Sequence, residues 1–103
     1  MQNNLEFKGE ISLFDPAEYL KNDELIALYL AEVLREGDEE EFVQALNTVA
    51  RAKGMNELAQ KANIARESLY QTLSSKKPRF ESIVKILSAL NIELVPTVKT
   101  ISS

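Results

Sequence analysis

The residues best suited to contact another molecule lie in the stretch GMNELAQKANIARESLYQTLS, residues 54–74. Four of its polar side chains, Arg66, Glu67, Ser68 and Gln71, remain on the outside of one short helix, near its amino end. In the major groove an arginine suits guanine, a glutamine suits adenine and a carboxylate accepts a hydrogen bond from cytosine. The stretch therefore predicts a surface that reads DNA, with these four residues as the base-contact candidates.

A second set of side chains is suited to phosphate oxygens rather than to bases. The loop SSKKPRF carries three positive charges within four positions, and two more lysines precede it. Such cations orient a protein on the duplex without reading its sequence. An ordinary solvated loop is the alternative for SSKKPRF, and contact with a second subunit is the alternative for the tyrosine in this set. The phosphate-contact candidates are Lys53, Lys61, Tyr70, Lys76, Lys77 and Arg79.

Two short helices joined by a tight turn are predicted to position these side chains, as a helix-turn-helix over residues 56–73 with its second helix over 65–73. Asn56 is the predicted cap of the first helix. Asn63 falls where the chain reverses, through a left-handed conformation that asparagine tolerates better than most residues. The residues expected to anchor this unit in the core are Leu58, Ala59, Ile64 and Leu69.

Two longer helices are predicted before this unit, and a helix start is predicted ahead of them in DPAEYL, with Asp15 as the cap and Pro16 in the first turn. Apolar residues over 23–36 form a stripe so broad, with leucines such as Leu28 and Leu34 widening it, that burial on more than one side is expected. Asp38 is a suitable cap for a helix over 39–53, and the acidic residues that follow Asp38 suit the positive end of that helix.

A last helix and two alternating segments complete the predicted fold. Phe80, Val84 and their apolar neighbours have helical spacing, and Asn91 is a tolerable end for that helix. Residues 5–13 and 92–98 alternate in the manner of strands. The prediction is a mainly α, compact five- to six-helix domain of the lambda-repressor-like helix-turn-helix kind over residues 15–91, with an N-terminal extended arm at 1–14 and a C-terminal extended segment and tail at 92–103.

Composition limits the classes of function. With 103 residues, of which 45% are apolar, the chain suits one compact domain. It has neither cysteine nor histidine, and no nucleophile with a base or glycine-rich phosphate loop accompanies its acids, so we expect no enzyme, no metal and no cofactor. The longest apolar run, LIALYLA, is too short to span a bilayer, and MQNNLEF does not resemble a signal peptide. A cytoplasmic protein without membrane contact is expected.

Charge is distributed unevenly along the chain. Residues 1–50 hold 12 of the 16 acids and three basic residues, whereas residues 51–103 hold nine basic residues and four acids, so the halves carry −9 and +5. Oppositely charged halves would attract different partners. The alternative is that both sets of charges are solvated helix faces.

Several blocks in the chain closely resemble the bacterial family of probable addiction-module antidote proteins, HigA-like antitoxins with a lambda-repressor-like helix-turn-helix. The blocks are FDPAEYL, LREGD, VARAKGM, LAQKANIARESLYQTLS and ILSALNIEL, which together span roughly Phe14 to Leu94. The family usually has glycine at the turn and serine at the cap of the recognition helix, where this chain has Asn63 and Ala65. Loss of such a cap costs about 1 kcal/mol of helix stability.

The resemblance implies the antitoxin of a type II toxin–antitoxin pair. Such a protein binds operator DNA, represses its own operon and neutralises a RelE/HigB-like toxin, for which the acidic first half is a candidate surface. A homodimer is expected, because a single helix-turn-helix of this size rarely reads enough DNA. A dimer places two recognition helices about 34 Å apart, one turn of the duplex. The interface of this dimer is expected on the last helix and the end segments. LEFKGEISL is expected to pair with NIELV, either within one subunit or between two. The alternative, equally suited to these segments, is that they only form the edge of one domain. A stand-alone repressor and an interaction module that no longer binds DNA are the alternatives.

Overall fold

A computed structural model describes residues 20–99 of the chain. The predicted arm 1–14, the helix start predicted at Asp15 and Pro16, and the tail 100–103 lie outside the described residues, as does any pairing of the arm with NIELV. Within residues 20–99 the structure has five helices and no strand, so the mainly helical prediction is confirmed, and none of these helices is long and apolar enough to cross a membrane. The helices are α1 (Asp23–Glu36), α2 (Glu39–Lys53), α3 (Met55–Ala62), α4 (Arg66–Ser74) and α5 (Phe80–Ala89).

Helices α1 and α2 begin at side-chain caps. Asn22 Oδ1 accepts hydrogen bonds of 2.8 and 3.0 Å from two amides of the first turn of α1. The predicted cap at Asp38 is confirmed as a capping box, in which Asp38 Oδ1 accepts from the Glu41 amide and Glu41 Oε1 accepts from the Asp38 amide, each at 2.8 Å. A Cβ on Gly37 would lie 2.6 Å from Glu41 Oε1, so glycine leaves room for this carboxylate.

The start of α3 differs from the prediction. Asn56 is not the cap: Gly54 ends α2 and also precedes the first residue of α3, so Asn56 lies inside the first turn. The physical reason is the backbone of Gly54, whose φ of 102° is open to glycine and strained for other residues. The chain reverses at this one residue, and α3 begins at Met55, two residues earlier than a cap at Asn56 would give.

The core is one apolar cluster between the helices. Helix α2 packs against α1, α3 and α4, while α5 packs chiefly on α3. Of the predicted anchors, Leu58, Ala59 and Leu69 are buried and Ile64 is half-buried against the same cluster. Fully buried side chains that join the helices include Ile26, Leu46, Val49, Leu69, Ile86 and Leu87.

Two predicted apolar faces are not covered by this core. Leu28 and Leu34 on α1 are 62% and 52% exposed, so the expectation that α1 is buried on more than one side is wrong for the described chain. Phe80 and Val84 on α5 are 72% and 39% exposed. The reason is the same in both cases: α1 and α5 each pack chiefly on one neighbouring helix, and within residues 20–99 no other helix covers the opposite side.

Candidate nucleic-acid interface

The turn between α3 and α4 takes the predicted left-handed form. Asn63 has φ 59° and ψ 46°, its amide donates to the Gln60 carbonyl at 3.1 Å, and the Ile64 amide donates to the Ala59 carbonyl at 3.1 Å. These two bonds close the end of α3 in the pattern of a Schellman motif. Three residues, 63–65, therefore connect the two helices, which is the short connection that a helix-turn-helix requires.

Helix α4 starts without a side-chain cap, as the alanine at this position predicts. Ala65 is exposed and extended, with φ −68° and ψ 147°, and no side chain accepts a hydrogen bond from the first turn. Helix α4 spans Arg66–Ser74, so it begins and ends one residue after the predicted range 65–73. Leu69 and Leu73 are buried and hold α4 on the core, so its remaining face is directed outward.

The four base-contact candidates are all exposed on α4. At about 100° per residue, Glu67, Ser68 and Gln71 fall within one arc of the helix surface, while Arg66 lies at its edge beside Tyr70. The structure therefore groups three of the four closely and places Arg66 at the flank, where its charge is next to an aromatic ring. Contact of these residues with bases remains a prediction.

Tyr70 has more neighbours than the sequence indicates. Its ring is half-buried against the core rather than free on the outside, and its Oη accepts a hydrogen bond of 3.0 Å from Arg66 Nη2. Arg66 Cζ lies 5.2 Å from the ring centre, and Arg51 Cζ, from α2, lies 5.9 Å from it. Both distances suit cation–π attraction. One ring therefore holds two guanidinium groups.

Arg51 is a residue that sequence reasoning missed. The spacing of Arg66 and Tyr70 by four residues is a local signal for their contact, but Arg51 comes from another helix, 19 positions earlier, and no local pattern brings it to Tyr70. Among the ion pairs formed within residues 20–99, none includes Arg51 or Arg66. Both cations therefore lie at the edge of the exposed face of α4 without an acidic partner among residues 20–99.

The phosphate-contact candidates are not brought together on one surface. Lys53 Nζ lies 3.5 Å from Asp23 Oδ1, and Lys61 Nζ lies 3.9 Å from Glu57 Oε2. Both lysines line a cleft with Lys21 between α2, α3 and the end of α5, and α4 contributes no residue to it. Their contact with phosphate remains a prediction, and no base-contact candidate lines this cleft.

The basic loop after α4 lies next to an acidic helix start. Lys76, Lys77 and Arg79 are exposed and form no ion pair within residues 20–99. The Lys77 amide donates to Ser75 Oγ at 3.0 Å, which orders the start of the loop. Lys76 and Lys77 line a groove of about 640 Å³ together with Glu39 and Glu40 of α2. The acidic and basic halves of the sequence therefore meet in space at this groove.

The described surface is suited to binding through polar and cationic side chains. Arg66 at the flank of α4 and Gln71 on its exposed arc offer hydrogen-bond donors to base edges, and the neighbouring loop offers positive charge to phosphates. Residues 20–99 contain no group of three or more acidic side chains placed to hold a metal ion.

Comparison with known proteins identifies relatives of the chain. A family model described as "Probable addiction module antidote protein" matches residues 10–98. A protein of Haemophilus influenzae (strain ATCC 51907 / DSM 11121 / KW20 / Rd), described as "Uncharacterized protein", is 43% identical over 81 residues, which cover 78% of this chain and 84% of that relative. No solved structure matches the chain.

Proposed function

Because the chain belongs to the family of probable addiction module antidote proteins, we propose that it is the antitoxin of a type II toxin–antitoxin pair that also represses its own operon. The observation that carries the DNA-binding part is the exposed polar face of α4. Leu69 and Leu73 hold this helix on the core, and a three-residue turn separates it from α3. These features support a lambda-repressor-like helix-turn-helix of the HigA-like kind.

In this proposal α4 enters the major groove, which is about 12 Å wide and admits one helix. Arg66 donates to guanine, Gln71 pairs with adenine, and Glu67 accepts from cytosine, while Ser68 contacts a base edge or a phosphate. Tyr70 supports this role of Arg66, because its hydroxyl already fixes one nitrogen of the guanidinium group. An ordered arginine loses less rotamer freedom when it binds.

Phosphate contacts would fix the orientation of α4 on the duplex. Lys76, Lys77 and Arg79 follow α4 directly and carry charge that no acid neutralises through an ion pair within the described part of the chain. Arg51 of α2 adds a further cation next to α4, at the ring of Tyr70. Lys53 and Lys61 contribute only if the duplex also reaches the cleft that they share with Lys21.

The toxin partner is proposed to be a basic protein of the RelE/HigB-like kind. The exposed acids of the described first half lie on α1 and at the start of α2, and they present a negative surface to such a partner. Neutralisation requires binding alone, so no catalytic group is assigned to the chain. The exposed acids on these two helices are Asp23, Glu24, Glu32, Glu36, Glu39, Glu40 and Glu41.

The decisive experiment is a gel shift of the full chain with the DNA upstream of its own gene, at two salt concentrations. Arg66→Ala should lower the preference for that DNA over unrelated DNA by about 1–3 kcal/mol, because a base contact is lost. Arg79→Ala should weaken binding to all sequences and reduce the salt slope by about 1. Arg35→Ala is the matched control, because Arg35 lies on α1 and is paired with Glu32 at 3.2 Å.

Equal affinity for own and unrelated DNA, or affinity that does not change with salt, would refute the repressor part. A second candidate function then remains, an antitoxin that binds only its toxin. The proximity of Glu39 and Glu40 to Lys76 and Lys77 favours that candidate, since the acids lower the positive potential that DNA requires. Capture of the toxin by a chain that fails to shift DNA would establish it.

A further inference from the structure

Three of the seven large apolar side chains that are exposed among the described residues line one groove. Phe80, at 72% exposure, lines it together with Leu34 and with Leu94, which is 42% exposed. Phe42 and Val43 of α2 also line this space of about 640 Å³. We call it the Phe80 groove. Clusters of this kind on a soluble domain mark an interaction site.

The two rims of the Phe80 groove carry opposite charges. Glu39 and Glu40 stand at the start of α2, and Lys76 and Lys77 stand in the loop before α5. None of the four forms an ion pair within residues 20–99. An apolar centre with a polar rim is the usual composition of a protein–protein interface.

We infer that the Phe80 groove is the contact surface for a second copy of this chain, which docks groove to groove across a two-fold axis. In such an interface the same patch is used by both subunits, so the patch must complement itself. The groove meets this requirement, because Glu39 and Glu40 of one subunit can face Lys76 and Lys77 of the partner subunit. A uniformly basic partner would meet repulsion from the lysine rim, so the mixed charge favours a second copy over the toxin.

This inference deepens the homodimer expected for DNA binding, and for its biological purpose it rests on the proposed function. It assigns separate tasks to the two kinds of side chain. Phe80 buries apolar surface and supplies affinity, as aromatic residues at the centre of an interface do. The four rim charges select the register of the two subunits. In such a dimer Lys76 and Lys77 face the partner subunit, and Arg79, which does not line the groove, is the cation of this loop that stays available to phosphate.

Sedimentation equilibrium of the full chain over a range of concentrations tests the inference. Phe80→Lys should raise the dissociation constant of the dimer roughly 30-fold or more, as expected for loss of a central aromatic contact. Leu28→Lys is the matched control, because Leu28 is also exposed but is not among the residues lining the groove, and it should leave the constant unchanged. Thermal unfolding checks that both variants remain folded.

Charge reversal provides the sharper test. Glu39→Lys with Glu40→Lys should weaken the dimer, and so should Lys76→Glu with Lys77→Glu, because each change places like charges opposite one another. The chain with all four changes should recover most of the lost affinity, since the rims are again complementary. A structural defect at the start of α2 would not be repaired in this way.

Three results would overturn the inference: a wild-type chain that stays monomeric, a Phe80→Lys chain that dimerises normally, or four reversals that restore nothing. Loss of toxin capture by Phe80→Lys with the dimer intact would also overturn it, because the groove would then belong to the toxin. A stable dimer that does not shift DNA leaves the inference standing and refutes repression instead.

Discussion

Adding a hydroxyl at position 65 should stabilise the domain. The backbone at Ala65 is already extended, with φ −68° and ψ 147°, as a helix cap requires, and only the acceptor oxygen is missing. In Ala65→Ser, Oγ can accept a hydrogen bond from the Glu67 or Ser68 amide, the second and third residues of α4. The position is exposed, so the change buries no polar group.

The expected gain in the free energy of unfolding is about 1 kcal/mol, the usual value of such a cap. For a domain of this size that gain raises Tm by about 4–8 °C. Urea unfolding followed by circular dichroism measures the free energy, and a thermal scan measures Tm. Ala65→Thr and Ala65→Val form a matched pair, because threonine and valine have nearly the same shape and only threonine has the acceptor.

Equal stability of the Thr and Val variants would refute the reasoning, because any effect would then come from shape rather than from a hydrogen bond. A further variant separates stability from DNA binding. Ala65→Asp should be at least as stable as Ala65→Ser, since its charge suits the positive end of α4. It should nevertheless bind DNA more weakly, because that charge repels phosphate.

The remaining predictions concern three other side chains. Asp38→Ala should lower the free energy of unfolding by about 1 kcal/mol, because the Glu41 amide loses its acceptor. Asp38→Asn keeps an acceptor oxygen and should retain most of the wild-type stability, and urea unfolding distinguishes the two variants. Tyr70→Phe keeps the ring and removes the acceptor of Arg66, so preference for the upstream DNA should fall by about 1 kcal/mol at unchanged Tm in a competition gel shift. Arg51→Gln should reduce the salt slope of DNA binding by about 1, and an unchanged slope would remove Arg51 from the interface.

Local signals in the sequence predicted much of the fold. The bounds of α1 and α2 follow from apolar spacing together with a polar cap or a glycine at each end. The left-handed turn at Asn63 follows from the few residues that tolerate that conformation. The cap at Asn56 was predicted wrongly, because the side chain suits a cap but the backbone of Gly54 determines where the chain turns.

Features that depend on distant parts of the chain could not be predicted. The apolar spacing of Phe80 indicates a helix face, but its exposure depends on whether another element lies above it. Tyr70 holds Arg51 only because α2 and α4 pack together. In the same way, Glu39 and Lys77 share a groove although 38 positions separate them in the sequence. The positions of candidate site residues on α4 were therefore predictable, and their neighbours were not.

The start of α1 and the end of α5 meet at one corner of the molecule. Asp23 Oδ1 lies 3.5 Å from Lys53 Nζ, and Asp23 Oδ2 accepts from Asn91 Nδ2 at 3.5 Å. The described chain therefore enters α1 and leaves α5 at neighbouring points. An association of LEFKGEISL with NIELV would thus close only a short loop, at little entropic cost.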